Sequence, residues 1–177
     1  MKTLAEENKA PRNRSITITE KEISDFCENR VRLSGKVRPE ELENKLINQD
    51  FFEVSEYLPD CFADLVILDP PYNLNKNFNN TSFREMTDDG YYDYVESFIV
   101  RIKRMMKPEA TLYFCSDWKS SNPVYSVLSK HFEVKNRITW EREKGRGANT
   151  NWKNCSEDIW FCTNGKTYTF NSEAVKL

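Results

Sequence analysis

Histidine and closely paired cysteines are scarce in this 177-residue chain, and their scarcity excludes several kinds of site. The only histidine is His131, and one imidazole cannot build a histidine-based metal site. The five cysteines show no C-x-x-C spacing, which argues against both a zinc site and a disulfide framework. We therefore predict no metal, and we expect reduced thiols, as in a cytoplasmic protein.

Long apolar runs and an excess of positive charge are also missing. No apolar stretch approaches the length of a membrane span, so no membrane partner is expected. Residues 1–14 lack the apolar core of a secretory signal, and residues 1–18 are predicted to be a flexible tail. The net charge of −2 indicates no global preference for nucleic acid, although a local basic surface would suffice for binding.

What the chain does contain is an apolar run that leads into an acid, two prolines and a tyrosine, Leu65-Val66-Ile67-Leu68-Asp69-Pro70-Pro71-Tyr72-Asn73. The run has the length and β-branching of a strand buried on both faces. Neither proline can donate a backbone hydrogen bond and both hold φ near one value, so the strand is predicted to end at Asp69 in a stiff turn. Such a turn fixes a carboxylate, a carbonyl group and an aromatic ring at the carboxyl edge of a sheet. Open α/β folds bind their ligands at that edge.

The flanking sequence predicts an α/β fold. Residues 45–50 form a predicted strand that ends in an acid, residues 51–58 a short helix, and residues 64–68 the next strand, which together make a compact βαβ unit. Upstream, a capping box predicts a helix from Glu20 to Val31. Two segments without periodicity are predicted to be loops: the first, residues 73–89, is rich in asparagine, and the second, residues 143–153, is basic.

These segments resemble the β-type amino DNA methyltransferases, restriction–modification enzymes that methylate adenine at N6 or cytosine at N4. The resemblance rests on the Asp-Pro-Pro-Tyr-Asn-Leu run at 69–74 and on the acid-ended strand at Asp50, and it spans residues 45–175. Further matching pieces are Met106-Lys107-Pro108, Ile138-Thr139-Trp140 and Glu157-Asp158-Ile159-Trp160-Phe161. The resemblance implies a Rossmann-like methyltransferase fold that depends on S-adenosylmethionine, with a mixed, mostly parallel sheet and flanking helices.

The chemistry of amine methylation assigns candidate catalytic roles to Asp69, Pro70, Pro71 and Tyr72. The exocyclic amine of adenine is a poor nucleophile, and the Asp69 carboxylate and the Pro70 carbonyl can accept its two hydrogens and orient it. Pro71 stiffens the turn, and Tyr72 can stack on a base that has been flipped out of double-stranded DNA. Aspartate in the first position resembles the adenine-N6 enzymes, whereas the cytosine-N4 relatives more often have serine there. Both reactions remain candidates.

The cofactor that the resemblance implies is S-adenosylmethionine, and its candidate contacts are Asp50, Phe51 and Asp69. An acid at the position of Asp50 lies beside the cofactor adenine in the family. Asp50 is equally suited to cap the helix that follows it, and Phe51 is equally suited to core packing.

The candidate DNA contacts lie on the two predicted loops: Asn73, Asn75, Lys76, Lys144, Arg146 and Lys153. Basic side chains beside an aromatic ring are typical of a loop that contacts phosphates. The alternative for each loop is a solvated connection with no role in binding.

Two parts of the family pattern are not found in the sequence. None of the five glycines forms the glycine-rich cofactor loop after a strand, and no target-recognition region is recognised. We therefore predict that residues 19–177 are a partial methyltransferase domain, from a truncated or split enzyme. Its expected partners are double-stranded DNA and either a second copy of the chain or a complementing carboxyl-terminal subunit. A non-catalytic α/β module that binds DNA or a partner is the alternative from a different class.

The first prediction follows from this missing half. The chain on its own is expected to transfer little or no methyl group, because no glycine-rich loop to hold the cofactor is recognised. Incubation with labelled S-adenosylmethionine and DNA, followed by counting of the DNA, measures this directly. Clear incorporation of label into adenine would contradict the prediction.

Overall fold

The structure is a computed structural model that describes residues 19–27, 30–78, 81–146, 150 and 152–176, without the side chains of residues 78, 81 and 143–146. The chain divides between Leu58 and Pro59 into two compact units. The predicted flexible tail, residues 1–18, lies outside the described residues. None of the described helices has the length and apolar character that crossing a bilayer requires.

The amino-terminal unit contains short elements. They are α1 (Glu20–Cys27), β1 (Arg30–Val31), a 3₁₀ turn (Pro39–Leu42), β2 (Leu46–Ile47) and α2 (Phe51–Val54). Thr19 caps α1: its hydroxyl accepts a hydrogen bond from the Glu22 N–H, and the Glu22 carboxylate accepts one from the Thr19 N–H. The predicted extension of this helix to Val31 is wrong, because Arg30–Val31 pairs in parallel with Leu46–Ile47 instead.

The carboxyl-terminal unit holds the main sheet and two long helices. Its strands are β3 (Ala63–Leu68), β4 (Lys76–Phe78), β5 (Thr81–Phe83), β6 (Met106–Ser116), β7 (Glu133–Arg146) and β8 (Asn154–Thr163). Its helices are α3 (Asp88–Met105) and α4 (Ser121–His131), with 3₁₀ turns at Trp118–Ser120 and Ser172–Val175. The main sheet has the order β3-β6-β8-β7, and β4 and β5 form a separate hairpin.

The strand directions confirm a mixed sheet but correct the expectation that it is mostly parallel. Strands β3 and β6 pair in parallel, whereas β8 is antiparallel to both β6 and β7. The reason is that only seven residues separate β7 from β8, whereas parallel neighbours need a crossover of about a dozen residues or more. The predicted compact βαβ unit is also wrong, because β2 and β3 belong to different sheets.

The core of this unit forms between the helices and the sheet. Helix α3 begins at its cap Thr87, whose hydroxyl accepts a hydrogen bond from the Gly90 N–H at 3.2 Å. One face of α3 is buried at helical spacing, through Tyr91, Val95, Phe98, Ile99 and Ile102. The Phe98 ring stacks on Phe114 of β6 with 6.2 Å between ring centroids. The buried side chains of α4 include Val124, Val127 and Leu128.

Strand β3 is not buried on both faces as predicted. Leu65 is 54% exposed and Ile67 is 70% exposed, whereas Val66 is half-buried. The physical reason is that β3 is an edge strand of the described sheet, and among the described residues too little packs against Leu65 and Ile67 to bury them.

Both predicted loops contain regular structure. Within residues 73–89 the chain forms the β4–β5 strand pair and the start of α3, because Lys76–Phe78 pairs antiparallel with Thr81–Phe83. Residues 143–146 continue β7, where Arg146 lies opposite Asn154. The remainder of the second predicted loop includes residues 147–149 and 151, which lie outside the described residues.

The difference in burial between Leu112 on β6 and Leu65 on β3 leads to a prediction about stability. We expect Leu112→Ala to lower the free energy of unfolding by about 2–5 kcal/mol, because Leu112 is fully buried at the centre of β6 and its removal leaves a cavity. Leu65→Ala, the same change at an exposed site on β3, should cost about 1 kcal/mol or less. Urea unfolding of both variants measures the difference. Equal losses would mean that the face of β3 is covered in solution.

Candidate active site

The Asp-Pro-Pro-Tyr turn, residues 69–72 (hereafter the DPPY turn), lies at the carboxyl end of β3. Because β3 and β6 are parallel, with Leu68 opposite Phe114, their carboxyl ends meet at the same edge of the sheet. The antiparallel strands β7 and β8 bring Trp140 and Glu157, which are opposite each other, to that edge. A cavity of about 220 Å³ opens there, and we call it the Asp69 cavity. Its lining residues are Asp69, Tyr72, Cys115, Trp140, Glu157, Asp158 and Ile159.

The backbone of the DPPY turn is fixed to the core by Tyr91. The Tyr91 hydroxyl donates a hydrogen bond to the Pro71 carbonyl at 3.0 Å, and the Tyr91 side chain is fully buried. Burial, helped by the charge of Asp117, raises the pKa of Tyr91 above its usual range, so the hydroxyl keeps its proton and remains a donor. Among the described residues, nothing donates to the neighbouring Pro70 carbonyl.

Asn73 fixes the end of the turn through both ends of its amide. Its Oδ1 accepts a hydrogen bond from the Met86 N–H at 2.7 Å, and its Nδ2 donates to the Met86 carbonyl at 2.9 Å. Asn73 is buried, so this pair replaces the water that both polar groups would otherwise need. The predicted DNA contact of Asn73 stays a prediction, but its amide already has partners within the fold.

The Tyr72 side chain contacts strand β8 and the neighbouring Lys76. Its hydroxyl donates a hydrogen bond to Glu157 Oε2 at 3.3 Å, and the Lys76 ammonium lies 5.6 Å from the centroid of its ring. Burial raises the pKa of Tyr72, and the negative charges of Asp69 and Glu157 raise it further. Tyr72 is therefore a neutral phenol at any ordinary pH.

A second cavity of about 170 Å³ lies on the other side of Tyr72 and Glu157, which line both cavities. We call it the Arg142 cavity. Its other lining residues are Leu74, Lys76, Asp117, Trp118, Lys119, Arg142, Asn154 and Ser156. Three of them are cationic, so the second cavity is more basic than the Asp69 cavity.

The Asp69 cavity contains a poorly nucleophilic thiol and an exposed carboxylate. Its one thiol, Cys115, has a pKa raised by burial and by the charges of Asp69 and Glu157, which keeps it protonated and weakly nucleophilic. The Asp69 carboxylate is exposed to the cavity mouth as an acceptor. What the cavity offers is therefore a carboxylate acceptor and two aromatic rings, Tyr72 and Trp140.

The predicted cofactor contacts of the amino-terminal unit serve its local structure. Asp50 caps α2, since its Oδ1 accepts hydrogen bonds from the N–H groups of Phe52 at 2.9 Å and Glu53 at 3.1 Å. The half-buried Phe51 ring packs edge-on against Phe52 at 5.9 Å. Their contact with a cofactor stays a prediction.

The remaining predicted DNA contacts are partly described. Asn75 bonds to Glu85, whose N–H donates to Asn75 Oδ1 at 3.0 Å. Lys76 lies beside Tyr72, and Lys153 is exposed. The side chains of Lys144 and Arg146 lie outside the described residues.

Several residues of the site had no role in the sequence analysis, and they include Cys115, Trp140, Arg142 and Glu157. Trp140 and Glu157 lie within segments that carry the family resemblance, but only the register between β7 and β8 brings them to Tyr72. Trp140 and Arg142 are two positions apart on β7. This spacing in the sequence predicts that their side chains lie on the same face of the sheet.

The two hydrogen bonds between the Asn73 amide and the Met86 backbone, which we call the Asn73 clamp, lead to a prediction with a matched control. We expect Asn73→Ala to lower the free energy of unfolding by about 1–3 kcal/mol, because it removes two part-buried hydrogen bonds to the backbone of Met86. Asn75→Ala removes a similar but exposed pair of contacts to Glu85 and should cost about 0.5 kcal/mol or less. Urea denaturation compares them, and equal costs would contradict the clamp.

Known proteins with similar sequences are methyltransferases. The chain is 25% identical over 139 residues to the type II methyltransferase M.HpaI of Haemophilus parainfluenzae, covering 77% of this chain and 44% of that protein. It is 26% identical over 132 residues to the DNA adenine methyltransferase YhdJ of Escherichia coli strain K12, covering 73% and 45%. The chain thus spans less than half the length of these curated relatives.

Known structures with a similar fold are also methyltransferases. The PvuII DNA methyltransferase (cytosine-N4-specific) superposes with a TM-score of 0.59 at 16% identity, over 74% of this chain and 52% of that one. The complex of M1.HpyAVI with S-adenosylmethionine superposes with a TM-score of 0.51 at 18% identity, over 73% and 60%. These likenesses confirm the predicted methyltransferase fold.

The family model for N6/N4 enzymes, described as DNA methylase, matches residues 63–177. That segment includes the DPPY turn, both cavities and the whole main sheet. The family that the turn indicated in the sequence is therefore confirmed over most of the chain: this protein belongs to the N6/N4 DNA methylase family.

Proposed function

We propose that the Asp69 cavity receives an adenine flipped out of double-stranded DNA and orients its amine for methylation at N6. The observation that carries this proposal is that Asp69 and Tyr72 line one cavity at the carboxyl edge of the sheet. Asp69 supplies a hydrogen-bond acceptor and Tyr72 supplies an aromatic face, and a flipped aminopurine requires both features.

The roles of the residues follow from the chemistry of the amine. The Asp69 carboxylate and the Pro70 carbonyl accept the two amine hydrogens, which directs the nitrogen lone pair away from the turn. Tyr72, as a neutral phenol, stacks on the base without adding charge to the cavity. Trp140, which lines the same cavity, contributes a second aromatic surface.

The methyl donor in this proposal is S-adenosylmethionine, which supplies an electrophilic methyl group when bound. Asp50 Oδ1 caps α2, and none of the described hydrogen bonds uses its Oδ2, so this oxygen suits a donor such as the cofactor's amino group. Phe51 and Asp69 are the other contacts that we propose. Their residue types fit a cofactor with a flat base and a cationic centre.

The base is proposed to be adenine because an aspartate stands in the first position of the turn. A relative named as a DNA adenine methyltransferase supports this choice. Cytosine N4 is the second candidate, since the PvuII enzyme, with a similar fold, is named as cytosine-N4-specific. We further propose that the chain acts in the cytoplasm with a complementing carboxyl-terminal subunit or a second copy.

The proposal is tested by the affinity of the chain for four duplexes that differ in one central mismatched base: adenine, hypoxanthine, cytosine or uracil. A mismatch lowers the cost of flipping, and randomised flanks remove the need to know the recognition sequence. We expect adenine to bind about tenfold more tightly than hypoxanthine, whose carbonyl oxygen faces the Asp69 carboxylate where an amine would donate. Fluorescence anisotropy at low salt measures each affinity.

Matched variants make the result specific. Asp69→Ala should abolish the preference for adenine, whereas Asp93→Ala, which removes an exposed acid from α3, should preserve it. A larger preference of cytosine over uracil would favour methylation at cytosine N4. No preference within either pair would favour a non-catalytic module.

A further inference from the structure

We propose that Glu157 and Arg142 are positioning residues that hold the Tyr72 ring in place for the flipped base. This inference rests on the proposed function and adds to it a role for two residues of strands β7 and β8. Arg142 contacts Glu157, and Glu157 in turn contacts Tyr72.

The contact between Glu157 and Tyr72 joins residues far apart in sequence. Tyr72 follows two prolines, so its backbone is stiff, but its ring projects from the turn on two rotatable bonds. Its hydroxyl donates a hydrogen bond to Glu157 Oε2 at 3.3 Å, with the Asp69 carboxylate as a second acceptor nearby, and these contacts restrain the far end of the ring. With the backbone held by Tyr91 through Pro71, the side chain is restrained at both ends.

Arg142 in turn fixes Glu157. Arg142 Nη1 lies 3.0 Å from Glu157 Oε1, and Nη2 donates to the Asn154 carbonyl at 3.2 Å. The two side chains are 23% and 31% exposed, so their attraction is screened less than that of a surface pair. Glu157 therefore uses one oxygen for Arg142 and the other for Tyr72, and neither oxygen can turn away without loss of a contact.

The placement of this pair gives it a role in base binding. Tyr72 and Glu157 form the wall shared by the Asp69 cavity and the Arg142 cavity. A ring that could rotate would have to be ordered when the base arrives. A ring already held in place avoids that entropic cost, which is the advantage of preorganisation.

The inference is tested with a double-mutant cycle at positions 72 and 157. The measured quantity is the stacking gain, which we define as the affinity for the mismatched adenine duplex divided by the affinity for the same duplex with an abasic site. We expect Tyr72→Phe and Glu157→Ala each to lower this gain about fivefold, and the double variant to lower it by the same factor. Arg142→Met should also lower the gain, and Glu157→Gln, which keeps an acceptor oxygen, should restore most of it.

A second readout needs no DNA. Tyrosine labelled with ¹³C at the ring Cζ carbon reports the hydrogen bond of each hydroxyl, and the Tyr72 signal is identified by its absence in Tyr72→Phe. We expect Glu157→Ala to move this signal toward that of exposed tyrosines. Glu133→Ala is the control, because it removes another glutamate from this strand pair, one that bonds to Lys135 at 3.0 Å.

The outcomes separate the inference from the proposed function. Losses that multiply in the double variant, or a Tyr72 signal that does not move in Glu157→Ala, would overturn the positioning role while the preference for adenine remains. A wild-type chain with no stacking gain would overturn the proposed function and the positioning role with it. Thermal denaturation of each variant confirms that it is folded.

Discussion

The hydrogen bond from Tyr91 to the Pro71 carbonyl is the constraint on which the site depends. It joins the DPPY turn to a fully buried side chain of α3, so the position of the turn is set by core packing rather than by the turn alone. The clamp between Asn73 and Met86 fixes the next residue. Met86 lies just before α3 and Tyr91 lies in its first turns, so a shift of that helix would move the DPPY turn.

Three acids line the Asp69 cavity, and each has contacts within the fold. Asp158 accepts a hydrogen bond from Ser121 at 2.7 Å, and Glu157 is occupied by Arg142 and Tyr72. Asp69 is the exposed one of the three, and it lies close enough to the Tyr72 hydroxyl to raise the pKa of that group. Of these carboxylates, Asp69 is the one that we propose accepts the amine of the base.

Local sequence was enough to predict the parts of the fold that depend on neighbouring residues. The stiff turn after β3, the cap of α1 and the cap at Asp50 all follow from a few adjacent residues. The exposure of Ile67 and the contact between Tyr72 and Glu157 do not, because they depend on which strands become neighbours in the sheet. The prediction of a loop at residues 73–89 was wrong because asparagine-rich sequence gives no sign of the short paired strands β4 and β5. The family resemblance compensated for the missing long-range information in assigning the site.

The distance along the chain between Tyr72 and Glu157 has a consequence for folding. The two residues are separated by 85 positions, so closing this loop costs more chain entropy than any local turn. During synthesis the DPPY turn leaves the ribosome well before β8, and it must wait for that strand to add to the sheet. The aromatic wall of the site is thus among the last features to form, and a chain arrested before β8 would carry the signature motif without its binding surface.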